Sequence, residues 1–186
     1  GRKIYTNLKK AFQYIISIHI PIILIVFIPL ALGWIYPSIF SPVHIIFLEL
    51  IMGPTCSIIF ENEPIEPNAM MQKPRKFSIS FFNVRELIIS ILQGLAITAA
   101  LLYSYQFAVA KGLDESLTRT MVFVVLVSAN LFLTLANRSF YYSIFTTIRY
   151  KNSLVPLIAF ISITLTALLI YVKPLATFFE FKPLNS

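Results

Sequence analysis

The stretch FLELIMGPTCSIIFENEP, residues 47–64, combines features that rarely occur together in one apolar segment. It carries a carboxylate at Glu49 and, shortly after it, the pair Gly53-Pro54. An acid inside a hydrocarbon layer must be paired or neutralised. A proline removes a hydrogen bond that the helix backbone would otherwise make. The combination indicates a membrane segment that serves a polar function.

The composition of the whole chain supports a membrane location. Of the 186 residues, 58% are hydrophobic and 12% are charged, and the mean hydropathy is +0.81. About a quarter of the residues are charged in an average soluble domain, so most of this chain belongs in a lipid bilayer. Cys56 is the only cysteine, which excludes a disulfide within the chain.

Five apolar runs are long enough, or nearly so, to cross a hydrocarbon layer that takes roughly 20 helical residues. They cover about 11–36, 43–60, 86–110, 118–136 and 154–172. Open sheet edges are not tolerated in lipid, so the runs predict an all-α, polytopic membrane helix bundle. We treat residues 1–186 as one transmembrane domain whose second helix is interrupted at Gly53-Pro54.

The basic residues give the orientation. Eleven of the 15 Lys and Arg residues fall before the first run, between the second and third, or between the fourth and fifth. Positive charge concentrates on the cytoplasmic side, which predicts a cytoplasmic N-terminus and an external C-terminus. The net charge of +7 therefore reflects membrane orientation and does not indicate binding to nucleic acid. The connecting segment 61–85 would be cytoplasmic, either as a docking surface or as a solvated connector.

The residues themselves suggest a cation site in the second run. Glu49 near the centre of a span is by default an ion ligand or a proton carrier; the alternative is a protonated acid hydrogen-bonded to a neighbouring helix. Pro54 donates no hydrogen bond to a carbonyl near Leu50. Interrupted membrane helices supply such carbonyls to cations, although proline kinks also occur for packing alone. His44 at the start of this run is most simply an interfacial anchor.

A polar stripe runs along the fourth apolar run. Asn130, Thr134 and Asn137 share one helix face, where they either contribute ligands or join helices through hydrogen bonds. Ser90, Gly94 and Thr98 form a stripe of small residues on the third run, which favours close helix packing.

Four segments, taken in order, resemble the C-terminal membrane half of P-type cation-transporting ATPases, in particular bacterial calcium-pump-like members. They are GRKIYTNLKKAFQYIIS (1–17), IIFLELIMGPTCSIIF (45–60), ENEPIEPNAMMQKPRK (61–76) and LIYVKPLATFFEFKPLN (169–185). The resemblance implies that the chain comprises helices five to nine of an ATP-driven cation pump in a bacterial plasma membrane. ATP, magnesium and the phosphorylated Asp would then belong to other domains of the pump, with no cofactor in this chain.

The resemblance also assigns candidate site residues. His19, two residues before Pro21, falls where calcium pumps carry an Asn ligand, and Asn130 falls at an acid or amide ligand position. Ile22 and Gly53 replace residues that the family uses as ligands. His19 is therefore a candidate ligand, proton carrier or partner of Glu49, or else a packed histidine. The transported cation, with calcium the first candidate, stays open.

Two other functions remain compatible with the sequence. One is a stand-alone membrane scaffold or regulatory subunit, and the other is a small proton-coupled carrier that uses Glu49 and His19. The sequence contains no nucleophile elbow, phosphate-binding Gly-rich loop or zinc-ligand spacing, so it offers no soluble catalytic motif.

The charge distribution predicts which connections are external. In a variant without Cys56, a cysteine at Ser41 should react with an impermeant thiol reagent from outside, and one at Asn68 only from the cytoplasm. Labelling of both positions from the same side of the membrane would contradict this topology.

Overall fold

The computed structural model describes residues 2–37, 39–61, 64–65, 70–71, 73–74, 84–137 and 154–182. Its elements are α1 (Arg2–Ala31), α2 (Pro42–Pro54), a π-helical segment (Thr55–Phe60), α3 (Val84–Ala110), α4 (Glu115–Ala136), α5 (Leu154–Tyr171) and α6 (Lys173–Phe178). Within these described ranges the chain contains no strand. The predicted all-α bundle is confirmed, while most of the predicted docking segment 61–85 lies outside the described residues.

Among the described residues, three helices are long and apolar enough to cross a membrane. They are the ranges Lys3–Ala31, Val84–Ala110 and Glu115–Ala136, and they correspond to the first, third and fourth apolar runs. The other two runs are also helical but shorter. One is α2 with its π-helical continuation, and the other is the apolar helix Val155–Tyr171.

The first helix extends further towards the N-terminus than its apolar run. It begins at Arg2 rather than near residue 11 and continues unbroken through Pro21 and Pro29. Several polar side chains in the N-terminal part of this helix are buried, which hydropathy does not anticipate. They include Asn7, Gln13 and Ser17.

The contact between α1 and α3 is close because Gly94 has no side chain. A methyl group at Gly94 would lie 2.9 Å from Cβ of Ile20 and 3.0 Å from the Ser17 carbonyl oxygen. That carbonyl belongs to the residue four positions before Pro21, so no helical N–H is donated to it from position 21. The Ser17 hydroxyl donates to the Ser90 carbonyl at 3.1 Å. The small-residue stripe on α3 therefore packs closely against another helix, as predicted, and its partner is the proline-containing part of α1.

The interruption of the second run takes the form of a change in helix type. The α-helix ends at Pro54, and residues Thr55–Phe60 continue in π-helical geometry. The backbone therefore stays helical through residues 42–60 and does not form a loop at Gly53-Pro54. Single π-helical turns within helices often occur at functional sites.

One end of the bundle gathers three connections, and we call it the turn end. It comprises residues 32–37 and 39–41 between α1 and α2, residues 111–114 between α3 and α4, and residues 172–182. Arg119 in the second turn of α4, with 5% of its surface exposed, joins the first and the last of them. It donates to the Ile39 carbonyl at 2.6 Å, the Glu180 carbonyl at 3.1 Å and the Glu115 carboxylate at 3.0 Å.

Residues 173–182, which we call the C-terminal strap, fold back over this end. The Lys182 N–H donates to the Thr120 hydroxyl at 3.0 Å, and the Lys182 ammonium pairs with Asp114. Glu180 has a positive φ of 56°, and the Phe181 N–H donates back to the Ala176 carbonyl at 2.8 Å. The turn after α6 is thus a Schellman-type cap that fixes the path of the strap.

The opposite end is held by contacts from the first turns of α1. Lys9 pairs with Glu86 of α3 at 2.8 Å, and the Asn7 side-chain amide approaches the Glu61 carbonyl at 3.4 Å. All three segments that the charge pattern assigned to the external side meet at the turn end. The relative placement of the connections therefore agrees with the predicted topology, and the side of the membrane that each end faces stays a prediction.

The Gly94 contact predicts that replacing glycine by alanine has a larger effect on stability at position 94 than at position 53. Gly94→Ala should destabilise the bundle by about 1–3 kcal/mol, the usual effect of overpacking, because the added methyl meets backbone as well as side-chain atoms. Gly53→Ala is the matched control, since a methyl group added there would meet nothing within 4 Å. Unfolding of both variants in detergent measures the difference, and equal stabilities would contradict the packing role of Gly94.

Asp114 predicts a pH dependence of stability. Its carboxylate accepts hydrogen bonds from Lys182 and from the Leu117 N–H, and these contacts hold the pKa of the carboxyl below its ordinary value. The stabilisation is present above the unfolded-state pKa and is lost as pH falls through the lower folded-state pKa.

Asp114→Asn should keep the helix cap but lose this acid-sensitive part of the stability. The variant should approach the wild type in stability under acidic conditions and fall below it near neutrality. Asp114→Ala should lose about 1 kcal/mol more, because Asn caps helices and Ala does not. Thermal unfolding across a pH series is the measurement, and parallel curves for wild type and Asp114→Asn would refute the assignment.

Candidate cation site

The carboxylate of the second apolar run lies beside the histidine of the first helix. His19, midway along α1, and Glu49, on the second half of α2, approach each other with 3.0 Å between Nε2 and Oε1. Their side chains are 38% and 50% exposed on the surface of this chain. The structure therefore brings together two residues that are 30 positions apart in the sequence.

The hydrogen bonds of His19 define how many protons the pair holds. Nδ1 lies 2.8 Å from the Ile15 carbonyl, which can only accept, so Nδ1 carries a proton. The contact between Nε2 and Glu49 needs a second proton, located on either the imidazole or the carboxyl group. The pair is therefore an imidazolium with a carboxylate, or a neutral histidine with a protonated acid, and its net charge is zero in both forms.

The helix that carries Glu49 is irregular at Pro54, as predicted, but it changes to π-helical geometry instead of breaking. Pro54 lacks an N–H, so it gives no hydrogen bond to the carbonyl of Leu50, and π-helical geometry follows immediately. The Leu50 side chain is exposed, and Gly53 is exposed with open space around its Cα. The glycine is not required here for close helix packing.

Asn130 and Thr134 face the interior from α4. Asn130 is 2% exposed, and its Oδ1 is buried without a hydrogen-bond partner among the described residues. The Thr134 hydroxyl donates to the Asn130 carbonyl at 2.9 Å. A buried amide oxygen without a donor is an unusual feature, and an oxygen of this type is also a ligand for hard cations.

The predicted residues thus fall into two groups. Glu49, His19 and the Pro54 region form one group, with Pro21 buried two residues beyond His19. Asn130 and Thr134 form the other. In the described part of the chain, no hydrogen bond or ion pair is seen between the groups, and no cluster of three or more His, Cys, Asp or Glu side chains occurs.

Three polar positions were not identified as important from the sequence. His44 is buried rather than interfacial, with 1% of its surface exposed, and Arg119 was counted only as one external charge. Ser17, which lies 3.0 Å from the side-chain amide of Gln93, was also missed. For Arg119 the sequence contained a weak indication of an ion pair, because Glu115 precedes it by one helical turn, a spacing at which opposite charges attract.

Comparison with known proteins places the chain in a family. The family model described as "Cation transporting ATPase, C-terminus" matches residues 37–186, which is most of the chain. The chain belongs to this family. The resemblance of the four segments to P-type cation-transporting ATPases is therefore confirmed.

The names of individual relatives agree with this family assignment. Calcium-transporting ATPase 1 of Bacillus cereus is 28% identical over 96% of this chain and 22% of its own length. Calcium-transporting ATPase 1 of Lactococcus lactis is 27% identical over 75% of this chain and 15% of its own length. An endoplasmic reticulum-type calcium-transporting ATPase of Arabidopsis thaliana is 24% identical over the whole chain and 21% of its own length. The chain thus spans about a fifth or less of these cation-transporting ATPases.

Proposed function

We propose that this chain forms the cation-translocating membrane region of an ATP-driven P-type pump, with calcium as the cation. The observation that carries the proposal is the Glu49–His19 pair between α1 and α2, in a chain that belongs to the cation-transporting ATPase family. The names of the relatives support calcium. The proposed domain is the whole chain, residues 1–186.

Glu49 supplies the charge of the proposed site. A carboxylate next to carbonyl and amide oxygens suits a hard cation such as calcium. The Leu50 carbonyl and Asn130 are the proposed oxygen donors, with Gly53, Pro54, Pro21 and Thr134 shaping the backbone and side chains around them. His19 acts as the partner that balances the Glu49 charge when no cation is bound.

The shared proton makes cation binding and protonation compete. A cation that binds Glu49 Oε1 displaces the His19 contact at that oxygen, so the proton held between them must move onto His19 or leave. A site of this kind binds the cation more weakly as the pH falls. The same proton also fits a proton-coupled carrier, which is the second candidate function.

ATP binding and phosphorylation would take place in other domains of the pump and would tilt these helices to alternate access to the site. The segment 61–85 is the proposed docking surface for those domains. We place the protein in a bacterial plasma membrane because it resembles bacterial calcium-pump-like members of the family. We place its N-terminus in the cytoplasm because the basic residues concentrate in the corresponding segments.

The proposal predicts the behaviour of the two paired residues in the full-length protein. Glu49→Gln should abolish calcium-dependent phosphorylation by ATP while expression and folding persist, because an amide lacks the charge that a hard cation requires. His19→Gln should keep phosphorylation but flatten its pH dependence. Phosphoenzyme formation against calcium concentration, at several pH values, is the measurement.

Glu86→Gln is the matched control, because Glu86 is also an ion-paired carboxylate facing α1 but lies at the far end of the bundle. It should phosphorylate with near wild-type calcium affinity. Unchanged calcium affinity in Glu49→Gln would contradict the proposed site. Proton-driven transport without any phosphoenzyme would favour the carrier instead.

A further inference from the structure

The second histidine of the chain joins the start of α2 to the C-terminal strap. His44 lies in the first turn of α2 and is buried. Its Nε2 lies 2.6 Å from the carbonyl oxygen of Phe179. Since a carbonyl can only accept, Nε2 carries the proton and donates it. This hydrogen bond ties α2 to a residue 135 positions away.

The other ring nitrogen of His44 acts within the start of α2. Nδ1 accepts the Ser41 N–H at 3.0 Å and lies 2.8 Å from the Ser41 hydroxyl. Because α2 begins at Pro42, Ser41 is the capping residue, and His44 takes the place of the residue that accepts its N–H in a capping box. The two nitrogens thus have different tasks: Nδ1 caps α2, and Nε2 fixes α2 to the strap.

His44 belongs to one face of α2, which we call the docked face. Phe47 and Leu48 lie three and four residues further on and share this face. The Phe47 ring lies 5.6 Å from the ring of Phe179 in the strap and 6.1 Å from that of Phe123 in α4. Leu48 is buried. The contacts of the docked face therefore fix the rotation of α2 about its own axis.

The rotation of α2 decides where Glu49 points. Glu49 follows Leu48 directly, so it lies about 100° further round the helix, and its Oε1 meets His19 Nε2 at 3.0 Å. A helix with its side chains has a radius of about 5–6 Å, so a rotation of about 30° moves the end of a side chain by roughly 3 Å. A rotation of this size is enough to separate Glu49 from His19.

The contact with His19 cannot hold Glu49 in place while a cation is bound. Among the α2 side chains that the structure describes, those of His44 and Glu49 form the hydrogen bonds with other helices or with the strap. A cation on Glu49 Oε1 displaces the His19 contact at that oxygen. The His44 contact lies outside the candidate site, so it persists and keeps α2 in the same rotation.

We propose that His44 is a positioning residue for the cation site. Its Nε2–H contact with the Phe179 carbonyl holds α2 in the rotation that turns Glu49 towards α1. The C-terminal strap thereby supports the site from the far side of α2. This role rests on the proposed function, because it affects transport only if Glu49 binds the cation.

Two substitutions of His44 separate its two contacts. His44→Gln places an amide N–H close to the position of Nε2, so it keeps a donor for the Phe179 carbonyl. His44→Asn places an amide oxygen close to the position of Nδ1, so it keeps an acceptor for the Ser41 N–H but is too short to reach the strap. If the strap contact positions Glu49, the shorter amide should be the harmful one.

Calcium-dependent phosphorylation of the full-length protein is the first measurement. His44→Asn should weaken the apparent calcium affinity by about two- to tenfold, the factor by which losing one hydrogen bond shifts an equilibrium. The maximal phosphoenzyme level should not change, and His44→Gln should stay close to the wild-type affinity.

Tyr36→Phe is the matched control for this measurement. It also removes one hydrogen bond to a backbone carbonyl at the turn end, the bond from the Tyr36 hydroxyl to Leu113 at 3.0 Å. That bond joins the α1–α2 connection to the α3–α4 connection and leaves the strap contact in place. Tyr36→Phe should therefore lower stability without lowering the calcium affinity.

A crosslinking rate measures the orientation of position 49 without calcium. In the full-length protein with Cys56→Ser, His19→Cys and Glu49→Cys are joined by a short bifunctional thiol reagent. Adding His44→Asn should slow this reaction, whereas adding His44→Gln or Tyr36→Phe should not. Because both members of the ion pair are replaced, the rate depends on the rotation of α2 and not on cation binding.

Unchanged calcium affinity or unchanged crosslinking in His44→Asn would overturn the positioning role. A loss in His44→Gln or Tyr36→Phe as large as in His44→Asn would also overturn it, because the effect would then be general destabilisation. So would a parent protein in which positions 19 and 49 cannot be crosslinked.

The two measurements also separate this role from the calcium proposal. Crosslinking that is slowed by His44→Asn alone, in a protein whose wild type forms no calcium-dependent phosphoenzyme, would support the positioning of α2 and refute calcium as the cation. If His44→Asn does not fold, Phe47→Leu takes its place, since it removes the ring contact with Phe179 and should cause the same losses.

Discussion

A helix in a bilayer must satisfy its backbone hydrogen bonds internally, and this chain departs from that rule at prolines within its membrane helices. Pro21 lies within α1, and Pro54 ends α2. Each removes a donor from the helix ladder, and each removal has a local consequence. The Ser17 carbonyl lies against Gly94, where α3 approaches closely, and the helix after Pro54 changes to π geometry. The candidate site lies between these irregularities, since His19 and Glu49 are near them in the sequence and in contact with each other.

The turn end illustrates how a membrane bundle accommodates a buried cation. Removing a guanidinium from water is unfavourable unless its donors are satisfied. Arg119 meets this requirement with two backbone carbonyls, of Ile39 and Glu180, and the Glu115 carboxylate. Because those carbonyls belong to different connections, the arginine also fixes their relative positions. A single charged side chain thereby organises segments that are separated by most of the length of the chain.

The sequence predicted the helices well because apolar length is a direct requirement of the bilayer. It placed the start of α1 too late, because the residues before position 11 include polar side chains, such as Asn7 and Lys10, that are buried against neighbouring elements. Hydropathy measures the cost of exposing a residue to lipid and is insensitive to polar partners on another helix.

Long-range polar pairs were the least predictable feature for the same reason. The Glu49–His19 contact was one of several alternatives, and nothing local distinguishes a partnered histidine from a packed one. The role of His44 was missed, because its decisive contact is to the backbone of Phe179. A backbone acceptor leaves no signature in the sequence.

The charge balance of the candidate site limits what it can bind. The Glu49–His19 pair is neutral with one shared proton, and Ile22 and Gly53 offer no charged ligand at neighbouring positions. A divalent cation at Glu49 would leave one uncompensated positive charge if the proton departs, and two if the proton stays on His19. Neutral oxygens such as those of Leu50 and Asn130 reduce the field of the ion without cancelling that charge. If the proposed site holds a divalent cation, release of the shared proton would leave the smaller uncompensated charge in a low-dielectric environment.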